Sequence, residues 1–328
     1  MPIVNARKAT PTTQIPISVA MTSFNSVSYI REQVVSVLEQ STAPTEIVIS
    51  DDGSTDGTIS VLKECAQADD RIVLTRNSRK VGNTINQNFE NAVRRCSGEW
   101  VAFCDHDDIW LPEKLGVLYS YRESAPLIYG RSELVDSCGR PMEISTEEYL
   151  GFSKYFSGRL SPYLFIRANT VSGHAMIAHR SLIDFALPFP ETITYDQWLA
   201  LVASLKGGIL FVDQTVVLHR IHLNNSVHSL KARNRKQRRY TVSPKERFYE
   251  TSRRRAEILS RLSAFETDME AEDQAFLSGF LEHAYQVPEQ YFDLKFFFKA
   301  FAMRRRLYPR KFTWRLFKEC IGGRWYRR

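Results

Sequence analysis

The chain has 328 residues, 43% hydrophobic and 25% charged, the composition of a soluble globular protein with room for a large core and a second region. It has no uncharged apolar run near twenty residues and no secretory pattern at its start, and its five scattered cysteines form no C-x-x-C pair; a membrane-spanning, signal-secreted, disulfide-framed or zinc-ribbon protein is therefore not expected. The net charge of +7 is uneven, since Lys231 to Arg328 carries 24 Lys and Arg against 12 Asp and Glu while the remainder carries 20 against 25, so an acidic body and a basic tail should face different partners.

A polar lead over 1–14 gives way to Ile15 to Met21 (IPISVAM), an apolar strand ending in Thr22, Ser23, Phe24 and Asn25. Tyr29, Ile30, Val34, Val35, Val37 and Leu38 then fall on one side of a helical period. Glu46 to Ser50 is a second strand, and the loop Asp51 to Gly57 leads into a helix with Ile59, Leu62 and Ala66. Arg71 to Leu74 is a third strand, and 82–96 a third helix with Phe89, Ala92 and Val93 inward. Trp100 to Cys104 is a fourth strand, running directly into Asp105, Asp107 and Asp108. Alternating strands and helices predict a doubly wound α/β sheet, mainly parallel, whose strand-end loops converge on one edge.

Three carboxylates at a strand end repel one another, and a divalent cation at that edge relieves the repulsion; a plain acidic turn is the alternative. Neither G-x-G-x-x-G nor G-x-x-x-x-G-K-[ST] occurs, so a diphosphate would be bound through a carboxylate-held cation. Asp52, Ser54, Asp56 and Gly57 match the opening of a calcium loop, but Lys63 stands where a bidentate Glu is needed, which excludes that reading. Asp56 or Thr58 is expected to cap a helix, and Asp51 to reach a ligand.

Leu127 to Gly130 and Leu134 to Asp136 read as two further strands, followed by an aromatic- and serine-rich stretch over 140–168 that carries no legible chemistry. His174 interrupts an apolar run next to Gly173, ordinarily the mark of a core histidine. Tyr195-Asp196-Gln197-Trp198 heads a helix, where an Asp alone reads as a cap. Arg220, between His219 and His222, is a candidate phosphate contact. In the tail, 231–240 is a basic run, 248–262 and 275–285 read as helices, and 293–306 sets aromatics against Lys and Arg. That pattern predicts a peripheral membrane-association segment, with packing onto the catalytic body as the alternative; no nucleic-acid module is visible and no nucleic acid is expected as partner.

Three blocks, SVAMTSFN, EIVISDDGSTDGT and GEWVAFCDHDDIWLPEKL, resemble in order and separation the nucleotide-sugar half of family 2 glycosyltransferases, inverting enzymes of GT-A fold, among them rhamnosyltransferases. The resemblance implies a Rossmann-like GT-A domain over 15–230, with a nucleotide-sugar half (15–115) and an acceptor half (116–230), and a basic helical C-terminal region over 231–328. It implies that Thr22 lines the donor site, Phe24 stacks on a pyrimidine where tyrosine is usual, and Asp51 accepts a hydrogen bond from the base. Asp105 would lie near ribose and metal, and Asp107 would bind Mn²⁺ or Mg²⁺ on the diphosphate. Gly82 and Asn88-Phe89 are similar to the family's G…NF stretch with the spacing stretched by two residues. YDQWLA, GGILFVD and VVLHRIHLNNS resemble the acceptor-side block, which makes Asp196 the general base, His222 a metal ligand, Arg220 a donor contact, and Gly173, His174 and Trp198 acceptor contacts. The expected activity is metal-dependent transfer of a sugar from a UDP- or dTDP-linked donor to a glycan or lipid-linked acceptor in bacterial surface polysaccharide assembly, in the cytoplasm or at the inner face of its membrane. A phosphohydrolase with Asp105 as nucleophile and a non-catalytic, membrane-docked nucleotide-sugar-binding protein remain as alternatives.

Overall fold

A computed structural model describes residues 15–78, 84–222, 244–286, 292–302 and 320–321. Its centre is an eight-stranded sheet of order β3-β2-β1-β4-β7-β6-β8-β5. The strands are β1 (Ile17–Ser23), β2 (Glu46–Asp51), β3 (Ile72–Arg76), β4 (Trp100–Cys104), β5 (Ile109–Trp110), β6 (Leu127–Val135), β7 (Met176–His179) and β8 (Ile209–Arg220). The helices α1 (Ile30–Leu38), α2 (Thr58–Ala68) and α3 (Thr84–Val93) provide the crossovers between β1, β2, β3 and β4. These four strands are mutually parallel, and the chain winds outward from β1 in both directions. That reversal beside β1 is where an open α/β sheet leaves a crevice for ligands.

Register decides which side chains meet there. Ser23 pairs with Asp51 and Met21 with Cys104, so the loops after β1, β2 and β4 leave the sheet side by side. β7 runs antiparallel to β4, with Ala102 opposite Ile177, and therefore returns the turn around His174 to the same edge. β8 arrives parallel to β6, with Leu134 opposite His219 and Val135 opposite Arg220. β5 folds the acidic loop back onto β8, Ile109 opposite Leu218. The two strands expected over 127–136 are one strand, β6, with register shifts around Arg131.

The sheet is sandwiched between two apolar layers. Val19, Ile47, Trp100 and Ile177 pack with α1, α2 and α4 (Lys114–Ser120) on one side. Val101, Phe103, Tyr129 and Met176 pack on the other with α3, α6 (Pro162–Arg167), α7 (Arg180–Ala186) and α8 (Tyr195–Lys206). The short helix α5 (Thr146–Leu150), in the aromatic stretch, is capped by Ser145, which accepts from the Glu148 N–H. Residues 199–203 of α8 are all buried, so this helix runs through the layer rather than over it.

The second layer continues into the C-terminal helices α9 (Pro244–Leu262), α10 (Ala271–Gln286) and α11 (Leu294–Ala302). Ile258, Leu259, Phe276, Phe280 and Phe296 belong to one cluster with α6 and α8. α9 and α10 each begin four residues earlier than the sequence pattern indicates. Gly82, the basic run over 231–240 and most of 303–328 lie outside the described residues. No described helix is long and apolar enough to cross a membrane.

Candidate active site

The first two loops are stitched together. The Asn25 N–H donates to Ser54 Oγ, and Asn25 Oδ1 accepts from Thr55 N–H, with Asn25 at φ 45°. Asp56 accepts from the N–H groups of Val27 and Thr58, a structural role at the start of α2 as expected. Phe24 stands on this frame with half its surface exposed, free of the core and able to stack. Thr22 is buried in register with Ser50.

Asp51 departs from expectation. Its carboxylate already accepts from Ser23 Oγ, Ser54 Oγ and the N–H groups of Gly53 and Ser54, and it is 3% exposed. Two carboxylate oxygens offer about four acceptor sites, and these four donors use them to close the loop. Asp52, partly exposed beside it and held by Asn77 Nδ2 at 2.9 Å, is the carboxylate that faces outward.

The acidic loop is divided between two functions. Asp107 Oδ2 lies 2.9 Å from His222 Nε2, and the His222 ring is backed by Tyr29 at 4.7 Å between centroids. Asp105 keeps 35% of its side chain exposed, yet its low-dielectric surroundings, then the Asp108 and Asp107 charges, push its carboxyl well above the usual range. Asp108 points inward: Oδ1 accepts from Arg220 N–H and pairs with His219 Nδ1 at 2.8 Å, while Oδ2 takes no hydrogen bond and faces His174 Nδ1 at 3.8 Å. Burial alone would lower the His219 imidazole, but Asp108 pushes it up to about 9, whereas burial takes His174 down to about 3. The two rings stack at 4.4 Å, and His174 is tied to Ser132 at 2.7 Å. Lys114 Nζ, pushed down to about 7 by burial, donates to the His174 carbonyl from over the Trp110 ring.

One donor set among the described residues, Asp108, His174 and His219, brings its ligand atoms within 4.8 Å of one another, close enough to hold a cation. Asp107 and His222 face each other beside Asp105 at the cleft, and Asp108, His174 and His219 form a tight group beneath. Asp107 and His222 keep only 9% of their side chains exposed, and Asp105, at 35%, is the part of this loop that opens to solvent.

Arg220, the candidate phosphate contact, is engaged within the protein. Its guanidinium donates to the Asp107 carbonyl (2.9 Å), the Ser137 carbonyl (3.1 Å) and Glu32 Oε2 (2.6 Å), and the residue is 2% exposed. It binds β8 to the acidic loop from behind. His174 is buried, and Trp198 is buried with its indole N–H on the Ala186 carbonyl. Gly173 lies against α8: its backbone N–H bonds the Asp196 carboxylate, and a Cβ there would meet Tyr195 Oη at 2.0 Å.

Asp196 lies in the first turn of α8, behind the helix cap Thr194 rather than being it. Burial raises its carboxyl, while Thr194 Oγ1 and the N–H groups of Gln197 (2.7 Å) and Gly173 oppose that shift. Its charge and that of Asp105 act on each other, so the structure brings the carboxylate on α8 to the acidic loop across the sheet edge.

A sheet wound around this crevice, with an Asp-x-Asp loop on one side and a first-turn Asp on the other, defines a nucleotide-sugar transferase of GT-A fold. Residues 18–185, about half of the chain, match the family described as glycosyl transferase family 2, and the chain belongs to that family. TuaG of Bacillus subtilis, named as a glycosyltransferase of teichuronic acid biosynthesis, is 39% identical over 99 residues, 30% of this chain and 38% of TuaG. WfgD of Escherichia coli, a UDP-Glc:α-D-GlcNAc-diphosphoundecaprenol β-1,3-glucosyltransferase, is 26% identical over 57% of this chain and 69% of its own length. The chain thus spans well under half of one relative and about two thirds of the other. The fold is that of Staphylococcus aureus TarS, solved with UDP-GlcNAc (TM-score 0.57, 18% identity, 89% of this chain and 81% of that one). It is shared by the mannosyltransferase PcManGT of Pyrobaculum calidifontis, solved with GDP-Man and Mn²⁺ (TM-score 0.51, 17% identity, 92% and 89%). The phosphohydrolase and the non-catalytic binding protein are not favoured by this membership.

Proposed function

We propose that this enzyme transfers a hexosyl group, rhamnose or another, from a UDP- or dTDP-sugar to a hydroxyl of a glycan or lipid-linked acceptor, with inversion, in bacterial surface polysaccharide assembly at the cytosolic side of the membrane. The observation that carries the reading is the pairing of Asp107 with His222 beside Asp105, within charge reach of Asp196. Phe24 stacks on the base, and Asp52, in place of Asp51, accepts its N–H. Asp105, Asp107 and His222 would hold Mn²⁺ or Mg²⁺, which when bound neutralises charge developing on the departing diphosphate.

The chain's own residues supply the rest. Asp196, positioned by Thr194, Gly173 and Gln197, takes the proton from the acceptor hydroxyl as that oxygen attacks the anomeric carbon on the face opposite the diphosphate. Its raised carboxyl makes Asp196 a stronger proton acceptor than an ordinary carboxylate. Arg220 and Asp108 keep the loop and His222 in mutual register.

Thermal unfolding against UDP, dTDP, GDP and CDP, each with and without Mn²⁺, tests the donor site. A ligand at a hundred times its dissociation constant adds about 2.7 kcal/mol. A metal-dependent rise with UDP or dTDP is expected; a rise with none of the four would overturn the reading. The TarS and WfgD names support a uridine nucleotide as the first to try.

A further inference from the structure

α11 buries one face and exposes another that is equally apolar. Phe296 and Ala300 turn inward: Phe296 stacks on His283 (3.8 Å between centroids, 9° between planes) and meets Phe280 at 5.1 Å. Asp293 fixes the start of the helix, accepting from Phe296 N–H at 2.8 Å and pairing with the buried His283 at 2.8 Å. The opposite face carries Leu294, Phe298 and Phe301, exposed by 59%, 63% and 39%. Their spacing of four and then three residues makes a single stripe. Among the described residues Phe298 and Leu294 are the two most exposed large apolar side chains. Because Asp293, His283 and Phe296 fix the helix's rotation, the stripe is held outward by packing on α10.

We infer that the Leu294–Phe298–Phe301 stripe is a docking surface for an anionic lipid bilayer, lying flat in the headgroup region. Charge selects this occupant. Residues 293–328 carry twelve Lys and Arg against two Asp and Glu; of the two lysines on α11, Lys295 is paired with Glu282 of α10 at 2.8 Å, and Lys299 is the other. Two copies associating through a segment of this net charge would repel each other, whereas a bilayer containing anionic lipid attracts both an apolar stripe and a cationic segment. The nine described residues of α11 span about 14 Å, and no described helix is long and apolar enough to cross a membrane. Such docking would hold the enzyme where the lipid-linked acceptor proposed above is confined.

The test uses the full chain and flotation with vesicles of phosphatidylcholine alone or of phosphatidylcholine mixed with phosphatidylglycerol. The wild type should float with the mixed vesicles, lose that association at raised salt, and stay unbound with phosphatidylcholine alone. Leu294→Glu/Phe298→Glu should weaken binding by about tenfold or more. The uncharged Leu294→Ser/Phe298→Ser should act in the same direction, and Phe185→Ser, on an exposed Phe of α7, should leave binding unchanged. The nucleotide-dependent melting rise, read on every variant, reports folding and the donor site independently. Failure of the wild type to float, with that rise intact, overturns the bilayer surface and leaves the transferase reading standing. Equal flotation of the Leu294 and Phe298 variants, or a dimer in light scattering that these variants dissolve, overturns it as well.

Discussion

Arg220 offers a sharp test, because a phosphate ligand and a buried strut fail in different ways. Replacing Arg220 by Met keeps much of the aliphatic stem but removes three guanidinium hydrogen bonds, to the Asp107 and Ser137 carbonyls and to Glu32, and a cation–π contact with Tyr29 at 4.9 Å. The Glu32 side chain is 56% exposed and regains water, so that pair is discounted to about 1 kcal/mol or less. The two carbonyls lose charge-assisted donors worth about 1.5 kcal/mol or more each. The sum is about 3–4 kcal/mol, and at about 2 °C per kcal/mol for a chain of this size the melting temperature should fall by roughly 6–8 °C without any ligand. Differential scanning fluorimetry on the apo enzyme reads this directly. Affinity for UDP and Mn²⁺ should weaken too, because the Asp107 carbonyl is released, but only together with the stability loss. An unchanged apo melting temperature with abolished nucleotide binding would refute the strut and restore Arg220 as a phosphate contact.

Asp107→Ala and His222→Ala should each abolish the Mn²⁺-dependent part of nucleotide stabilisation while leaving the apo stability within about 1 kcal/mol of wild type, as read by melts with and without chelator. Asp196→Asn should keep the nucleotide-induced rise and lower sugar transfer by about 10²–10⁴-fold; full transfer would remove Asp196 as base. Since the base must be ionised and burial raises its carboxyl, transfer should fall on acidification at a pH above the ordinary carboxylate range, and a pH profile flat down to that range would contradict this. Asp51→Asn, which loses acceptor capacity for two of four donors, should destabilise the apo enzyme by about 1–3 kcal/mol, whereas Asp52→Asn should leave stability nearly unchanged and alter the preference among nucleotide bases, measured as the ranking of melting shifts.

The order of elements was legible because each strand is a short apolar run ending in polar loop residues, and each helix carries its own 3.6-residue stripe; these patterns are local, as is the abrupt passage from Cys104 into three aspartates. The resemblance blocks are local as well, which is why the family, the acidic loop and the candidate base on α8 could be read without coordinates. What the chain order could not assign was the partner of each polar group. Asp51 and Asp52 are adjacent and chemically identical, and only the approach of Ser23 and Ser54 decides that the first is consumed. DHDD reads as one cluster, but β5 turns back on β8 and sends Asp108 down to His219 while Asp107 stays up with His222. Arg220 has the residue type of a phosphate ligand, and the register of β8 against the loop makes it a strut. The C-terminal composition gave apolar and basic residues without saying which faced the body; packing of Phe296 on His283 settled the inward face of α11 and thereby left Leu294 and Phe298 outside. Secondary structure and motif follow from neighbours along the chain, whereas burial and hydrogen-bond satisfaction follow from contacts made across the sheet, and a polar side chain takes its role from those contacts.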